Sequence, residues 1–207
     1  MIRRECVIPS VSAADDAAFE SLADVVRAMA DLAEVRIVGG HMVGLLLAAF
    51  PVADLAPRRT NDADAGISTE VAGTQIIHDR LIAADYEPEG GNRLTRGDRA
   101  IDLLVPSLDG RFRPLIIEGR AYDATPGLAL ALTSEPIVID LTVASLDGSE
   151  DRFDVPVPRS RSPWSSRRAH PARGRRRRTS RTSITCSRSA TRTGTRKRAA
   201  GSSTRHR

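Results

Sequence analysis

The strongest constraint on the fold of this 207-residue chain is a change in composition near residue 158. Residues 158–207 hold 17 of the 31 Lys and Arg residues and none of the 26 Asp and Glu residues. Residues 1–157 hold 14 basic against 26 acidic residues, with Ala, Val, Leu and Ile in periodic patterns. A segment of Arg, Ser, Thr, Ala and Gly buries too little apolar surface to offset the entropy lost on folding. We therefore expect a folded domain over 1–157 and a disordered basic tail over 158–207.

The cysteines and the apolar runs indicate the cellular compartment of the protein. Cys6 and Cys186 fall one in each part, so no disulfide framework is indicated and a reducing compartment fits. Met1–Ser10 has no signal-peptide core, and no apolar run approaches the roughly 20 residues of a membrane-spanning helix. We expect a cytoplasmic protein that does not enter a membrane.

The first half of the chain carries mainly helical periodicity. Helices are predicted over Ser10–Leu32, His41–Phe50 and Ser68–Tyr86, with His78 at the surface of the last. Val35–Val38 reads as a short buried strand that Gly39 and Gly40 end.

The second half carries the alternation of β-strands. "NRLT", the turn "RGD" and "RAIDLLVP" predict a hairpin, and the segments "RFRPLIIEG", "GLALAL", "PIVIDLTVAS" and "DRFDVPVP" predict further strands. Helices early and strands late indicate an α+β class, with a mixed β-sheet flanked by helices.

Asp62 and Asp64, in "RRTNDADAGI", form the first candidate site. In a strand, residues i and i+2 share a face, so the two carboxylates would repel each other without a cation between them. Mg²⁺ suits such a pair, because it is held by one or two carboxylates plus substrate phosphates. A solvated acidic turn, or caps for the helix that starts near Ser68, are the alternatives.

Two further features point to phosphate chemistry. Gly39 and Gly40 allow close approach of the backbone to a polyphosphate, and the following helix directs its amides at the anion. Asp102 interrupts the apolar strand "AIDLLVP", where an acid usually has a partner or a metal. Three carboxylates near a Gly-Gly turn suit metal-assisted nucleotidyl transfer.

The stretch "VRIVGGHMVGLLLAAF…RRTNDADAGI" resembles the signature of polymerase-β-type nucleotidyltransferases, a Gly-Gly turn followed by an R-x-T-x-D-x-D strand. It is most similar to the AbiEii/MenT-like nucleotidyltransferases, the toxins of bacterial toxin–antitoxin pairs. The likeness covers about residues 30–157. It implies a minimal nucleotidyltransferase fold, transfer of a nucleotide from an NTP to an acceptor hydroxyl, tRNA or another RNA as acceptor, and a cognate antitoxin protein as partner.

The resemblance also assigns roles to residues. Asp62 and Asp64 would bind Mg²⁺, with Asp102 as a third catalytic carboxylate. The nucleotide-binding residues would be Gly39, Gly40, Arg58 and Thr60.

The family also has a Lys and an Asp on C-terminal helices, and residues 158–207 lack both contexts. A shifted reading frame, starting each codon at the third base of the preceding one, supplies them. It allows "ALVVKA" over Ser162–Arg168, "DIADIHHLLEVC" over Thr179–Ala190 and "GGWKLD" over Ala199–Thr204. We therefore expect a frameshift near Val157–Arg161 that replaced the family C-terminus and leaves the transferase weak or inactive.

Two other interpretations stay open at this point. The tail can be taken at face value, as a basic arm in which "RGRRRR" (Arg173–Arg178) contacts phosphate backbones. The protein would then be a non-catalytic nucleic-acid-binding protein. It can also be the remnant of a toxin that an antitoxin still binds.

Overall fold

The periodicity of the sequence is realised as a mixed set of helices and strands. The computed structural model describes residues 1–55 and 59–159, and its helices are α1 (Ala13–Ala28), α2 (Gly39–Ala49), α3 (Thr69–Thr74), α4 (Ile76–Ala83) and α5 (Leu128–Thr133). The strands are β1 (Ile2–Pro9), β2 (Val35–Ile37), β3 (Ala63–Ile67), β4 (Glu87–Gly90), β5 (Arg93–Arg96), β6 (Arg99–Pro106), β7 (Arg113–Ile117), β8 (Arg120–Thr125), β9 (Ile137–Ala144) and β10 (Glu150–Val157). The class is α+β, as predicted.

The strands form two sheets. In the smaller sheet β9 lies between β1, which is parallel to it, and β10, which is antiparallel. In the larger sheet the order is β2-β3-β6-β5-β4, and the hairpin of β7 and β8 joins β6 beyond the end of β5. Of the described strands that pair directly with β6, β3 and β8 are parallel to it and β5 is antiparallel. Strand β6 is therefore central, with β3 along one edge and β5 and β8 along the other.

Helix α1 connects the two sheets by its apolar face. It begins after Ser12, whose hydroxyl accepts the backbone N–H of Asp15 at 3.1 Å, and this is the usual N-cap arrangement. Leu22 and Val25 are fully buried, and the helix packs against β3, β6 and β10. The capped, amphipathic segment thus folds as predicted and covers the strands that carry Asp64 and Asp102.

Arg36, in β2, hydrogen-bonds to the backbone at the end of α5. It is buried, and its guanidinium donates to the carbonyl oxygens of Leu132 at 3.1 Å and Ser134 at 2.7 Å. A buried guanidinium needs such acceptors, because an unpaired charge in the core is strongly unfavourable.

Two predicted elements and the predicted exposure of one residue are wrong. "GLALAL" forms α5 instead of a strand: Leu128 and Leu132 are buried whereas Leu130 is exposed, which is the spacing of a helix. The helix predicted over 68–86 is split into α3 and α4 by Gln75, which adopts a left-handed conformation at φ +60°. His78 was predicted at the surface, but it is one of the buried residues of α4.

The chain also contains strands that the sequence did not indicate, namely β1, β4 and β8. Arg58 and the tail from residue 160 onward lie outside the described residues. Among the described helices, none combines the length and the apolar character needed to cross a membrane.

Candidate functional site

Four neighbouring backbone segments bring the predicted site residues into one row. The register pairs Arg93 of β5 with Asp102 of β6, and Asp102 with Asp64 of β3. Paired residues of adjacent strands point to the same face of the sheet. On the other side of β3, the N–H of Val38 donates to the carbonyl of Asp64 at 3.0 Å. The row therefore runs from Arg93 across two carboxylates to the first turn of α2.

The Gly-Gly turn closes directly onto this row. Gly39 has φ +62°, and a Cβ there would lie 2.6 Å from Cγ of Asp64 and closer still to its Oδ2. A Cβ on Gly40 would lie 2.6 Å from Cβ of Thr60. Neither position can accept a side chain without displacing its neighbour. Helix α2 begins at Gly39 rather than at His41 as predicted, and the backbone N–H of Gly40 acts to lower the pKa of the Asp64 carboxyl.

Asp62 lies immediately before β3, beside Asp64. The hydroxyl of Thr60 donates to Asp62 Oδ1 at 2.7 Å, which fixes the orientation of that carboxylate. The alternative that these acids cap the next helix is wrong. Ser68 caps α3, because its hydroxyl accepts the N–H of Val71 at 3.2 Å.

Burial and repulsion perturb the two carboxyls on the sheet. Burial, together with the negative charges of Asp62 and Asp102, raises the pKa of Asp64 to about 6. Burial also raises the pKa of Asp102, and the guanidinium of Arg93 partly offsets this effect. Asp64 is therefore not part of a solvated turn, because burial and the neighbouring carboxylates disfavour its ionised form.

Arg93 is the site residue that the sequence reasoning missed. Its Nη1 lies 2.9 Å from Asp102 Oδ2 and 3.7 Å from Asp62 Oδ2, and its Nε lies 3.4 Å from Glu89 Oε2. A signal was available in the sequence: a two-residue turn at Gly97-Asp98 pairs residue 96 with 99, and hence 93 with 102.

The donor set fits Mg²⁺ through two carboxylates. Within residues 1–55 and 59–159, no group of three or more His, Cys, Asp or Glu side chains is arranged to hold a metal ion. Arg93 lies closer to Asp102, at 2.9 Å, than to Asp62, at 3.7 Å, so Asp62 and Asp64 are the carboxylates with more capacity left for a cation. Two carboxylates completed by substrate phosphates are a common Mg²⁺ environment. Asp102 as a third catalytic carboxylate stays a prediction.

A cavity of about 320 Å³ is lined in part by Gly40 and Thr60, beside the row. Its lining comes from β1, α1, α2 and the segment before β3: Val7, Ile8, Pro9, Asp15, Ala18, Phe19, Gly40, His41, Gly44, Leu45, Ala48, Arg59 and Thr60. His41 is buried, and its Nε2 has no hydrogen-bond partner among the described residues. Burial lowers the pKa of His41 to about 4, so its imidazole is neutral at pH 7.

Six of the seven predicted site residues are gathered here: Gly39, Gly40, Thr60, Asp62, Asp64 and Asp102; Arg58 lies outside the described residues. No protein-family model matches the chain, and no significant match was found among curated proteins or solved structures. The family resemblance therefore stays a prediction, and function must be argued from the geometry of this row.

Proposed function

We propose that this chain has the minimal nucleotidyltransferase fold and binds an NTP with Mg²⁺ to transfer its nucleotide to an acceptor hydroxyl. The observation that supports this best is the contact between the Gly-Gly turn and Asp64. It brings the first amides of the 11-residue helix α2 beside two carboxylates. Helix N-terminal amides attract phosphates, and carboxylates hold Mg²⁺, so one place offers both kinds of contact.

Each residue of the row has a role in this proposal. Asp62 and Asp64 would hold Mg²⁺, and the backbone of Gly39 and Gly40 would contact the phosphates. Thr60 fixes Asp62 through its 2.7 Å hydrogen bond. Bound Mg²⁺ would neutralise phosphate charge and assist ionisation of the attacking hydroxyl. Positioning and charge neutralisation supply most of the catalysis of such reactions.

The acceptor and the biological setting follow from the family resemblance. We propose tRNA or another RNA as acceptor, and a role as the toxin of a toxin–antitoxin system whose antitoxin binds this chain. We also propose that activity is weak or lost here, because the helices encoded in the shifted frame are missing.

An apolar surface along α2 supports the loss of a C-terminal segment. The helix is apolar along its whole length, yet only His41 and Leu45 are buried. Val43, Phe50 and Val52 are exposed. Exposed apolar surface of this kind usually has a partner, and amphipathic helices following Val157 would be suitable.

The first test measures binding, so that an inactive enzyme can still support the proposal. The full chain is titrated with each NTP with Mg²⁺ and again with EDTA, alongside Asp62→Asn/Asp64→Asn and the control Asp98→Asn in an exposed turn. We expect Mg²⁺-dependent NTP binding that only the double variant loses. Equal binding by all three proteins, or no binding of any NTP, would overturn the proposal.

The second test concerns catalysis and the reading frame. Transfer of a labelled nucleotide to RNA is compared between this chain and the version translated in the shifted frame from residue 158 onward. We expect the restored C-terminus to raise the rate strongly. Equal rates would show that the missing helices are not needed.

The charge of the tail favours one second candidate, a nucleic-acid-binding protein. Residues 158–207 carry 17 basic and no acidic residues. Deleting them should abolish RNA binding and its salt dependence if binding is the function. If the chain is an impaired enzyme, the deletion should remove only nonspecific RNA binding and leave Mg²⁺-dependent NTP binding unchanged.

A further inference from the structure

Arg93 lies between two carboxylates of the row. Its Nη1 is 2.9 Å from Asp102 Oδ2 and 3.7 Å from Asp62 Oδ2. In sites with two metal ions, the ions are about 3.5–4 Å apart, so a second ion here would compete with Arg93 for these two carboxylates. We infer that Arg93 takes the place of a second metal ion, so that the site binds one Mg²⁺ and draws its other positive charge from the protein itself. The inference rests on the proposed function, which assigns Mg²⁺ to Asp62 and Asp64.

The sheet and two ion pairs fix the position of Arg93. Arg93 in β5 is the direct cross-strand neighbour of Asp102 in β6, and its Nη1 donates a hydrogen bond to that carboxylate. Its Nε lies 3.4 Å from Glu89 Oε2. A side chain that two acids hold through different nitrogens of one planar group keeps little rotational freedom. We therefore expect the guanidinium to stay beside Asp102 when Mg²⁺ binds.

A purely structural role explains only one of these contacts. Opposite charges on neighbouring strands stabilise a sheet, and the pair of Arg93 with Asp102 is of this kind. The approach to Asp62 is different, because Asp62 directly precedes β3, and β6 lies between β3 and β5. The guanidinium thus extends across β6 towards a carboxylate that β5 does not adjoin. A cation that serves the whole row would be placed in this way.

The charges of the row favour one metal ion over two. Without nucleotide, ionised Asp62, Asp64 and Asp102 carry three negative charges, and one Mg²⁺ together with Arg93 supplies three positive ones. A second Mg²⁺ bound to Asp62 and Asp102 would lie within a few ångströms of the guanidinium, which already contacts both carboxylates. Two positive groups at that distance repel each other. The second ion is therefore excluded as long as Arg93 is present.

Asp102 then orients Arg93 instead of binding a metal ion. Its Oδ2 accepts from Arg93 Nη1 at 2.9 Å, and its side chain is only 16% exposed, so water screens this pair less than it screens a surface pair. In other phosphoryl-transfer sites an arginine stabilises the charge that develops on the transferred group. Arg93 would do the same here, with a charge that does not depend on the concentration of metal.

The test counts metal ions in the absence of nucleotide. Mn²⁺ suits the same oxygen ligands as Mg²⁺ and is visible by EPR spectroscopy, so it is titrated into the full chain. The wild type is compared with Arg93→Gln, which removes the charge, and with Arg93→Lys, which keeps it. The control Arg113→Gln removes an arginine that, like Arg93, is ion-paired with an acid four residues earlier. Ions that still bind Asp62→Asn/Asp64→Asn lie elsewhere on the chain and are subtracted.

We expect the wild type, Arg93→Lys and Arg113→Gln each to bind one Mn²⁺ at this site. Arg93→Gln should bind two, with the magnetic coupling of neighbouring Mn²⁺ ions in its EPR spectrum, and its first ion should bind about tenfold more tightly because a nearby positive charge is gone. Adding Asp102→Asn to Arg93→Gln should return the count to one, since the second ion then lacks a carboxylate. A purely structural Arg93 would lower the melting temperature in EDTA and leave the count unchanged.

Three outcomes overturn the inference: two ions in the wild type, one ion in Arg93→Gln, or no Mn²⁺ at this site in any of the proteins. If Arg93→Gln folds poorly, Arg93→Met, which keeps the aliphatic stem, is counted in its place. Failure here is distinct from failure of the proposed function, which is decided by Mg²⁺-dependent NTP binding and its loss in Asp62→Asn/Asp64→Asn. Conversely, a chain that binds no NTP would overturn the proposed function without changing these counts.

Discussion

Replacing Gly39 by Ala tests whether the turn and Asp64 are in contact as the structure has them. Gly39 and Gly97 have nearly the same left-handed conformation, φ +62° and φ +59°. A Cβ at Gly97 would meet no atom within 4 Å, whereas a Cβ at Gly39 would lie 2.6 Å from Cγ of Asp64. Gly97→Ala is therefore a matched control that isolates the backbone strain from the steric clash.

The expected magnitudes follow from these two contributions. A left-handed conformation costs an L-residue such as Ala about 1–2 kcal/mol, so Gly97→Ala should lower the free energy of unfolding by that amount. Gly39→Ala adds an overpacking contribution of about 1–3 kcal/mol, because Asp64 must move or α2 must separate from β3. For a domain of this size, each kcal/mol lowers the melting temperature by about 2–4 °C.

Equilibrium urea unfolding of the full chain measures both variants, and Asp64→Ala completes the comparison. Removing the carboxylate should relieve most of the additional loss, since only Cβ of residue 64 then remains, 3.0 Å from the new methyl group. In the Asp64→Ala background, Gly39→Ala should cost about as much as Gly97→Ala. Equal losses for the two glycine variants in the wild-type background would refute the close contact.

Two further predictions concern charged groups outside the site. Arg36→Met should lower the free energy of unfolding by about 1–3 kcal/mol, because the carbonyls that accept from Arg36 lose their donor; the exposed Arg113→Met should change it little. Hydrogen bonds from Arg152 and Arg3 lower the pKa of Asp140 to about 2. Ionised Asp140 thus stabilises the fold above about pH 4, and this contribution is lost as the pH falls towards 2. Between pH 5 and pH 2, the melting temperature of Asp140→Asn should therefore fall less steeply with decreasing pH than that of the wild type. Equal slopes for the two proteins would contradict the stabilising role of ionised Asp140.

The sequence predicts the elements whose pattern is local. Helix α1 carries a cap, acids in its first turn and a helical apolar repeat, and all three are realised. Strand β1 could not be predicted, because Cys6 is its only buried residue and its single partner, β9, lies far along the chain. Helix α5 was mistaken for a strand because alternate leucines fit a strand face; the left-handed Gly127 starts a helix instead, and Leu130 then points outward.

In the candidate site, too, the features that depend on local sequence could be predicted, and those that depend on contacts between distant segments could not. The spacing of Gly39, Asp62 and Asp64 is visible in the sequence, and the pairing of Arg93 with Asp102 follows from the length of one hairpin turn. The parallel register that sets Asp64 beside Asp102 depends on strands joined by two helices and a hairpin, so no local pattern specifies it. The cavity is less accessible still to sequence reasoning, because β1, α1 and α2 form it together.

The repulsion among the carboxylates of the row favours a functional role for these residues over a purely structural one. Asp62, Asp64 and Asp102 share one cation, Arg93, in the described part of the chain, and burial and repulsion raise the pKa of Asp64. Ionising Asp64 therefore weakens the native state at neutral pH, where its unfolded counterpart is ionised freely. A purely structural role would be served better by a neutral side chain, because a buried charge without full compensation destabilises the fold. A bound cation would remove this repulsion and gain affinity from it. Carboxyls perturbed as Asp64 is are found most often at functional sites, and the repulsion between Asp62, Asp64 and Asp102, which Arg93 offsets only in part, supports our proposal of a cation here.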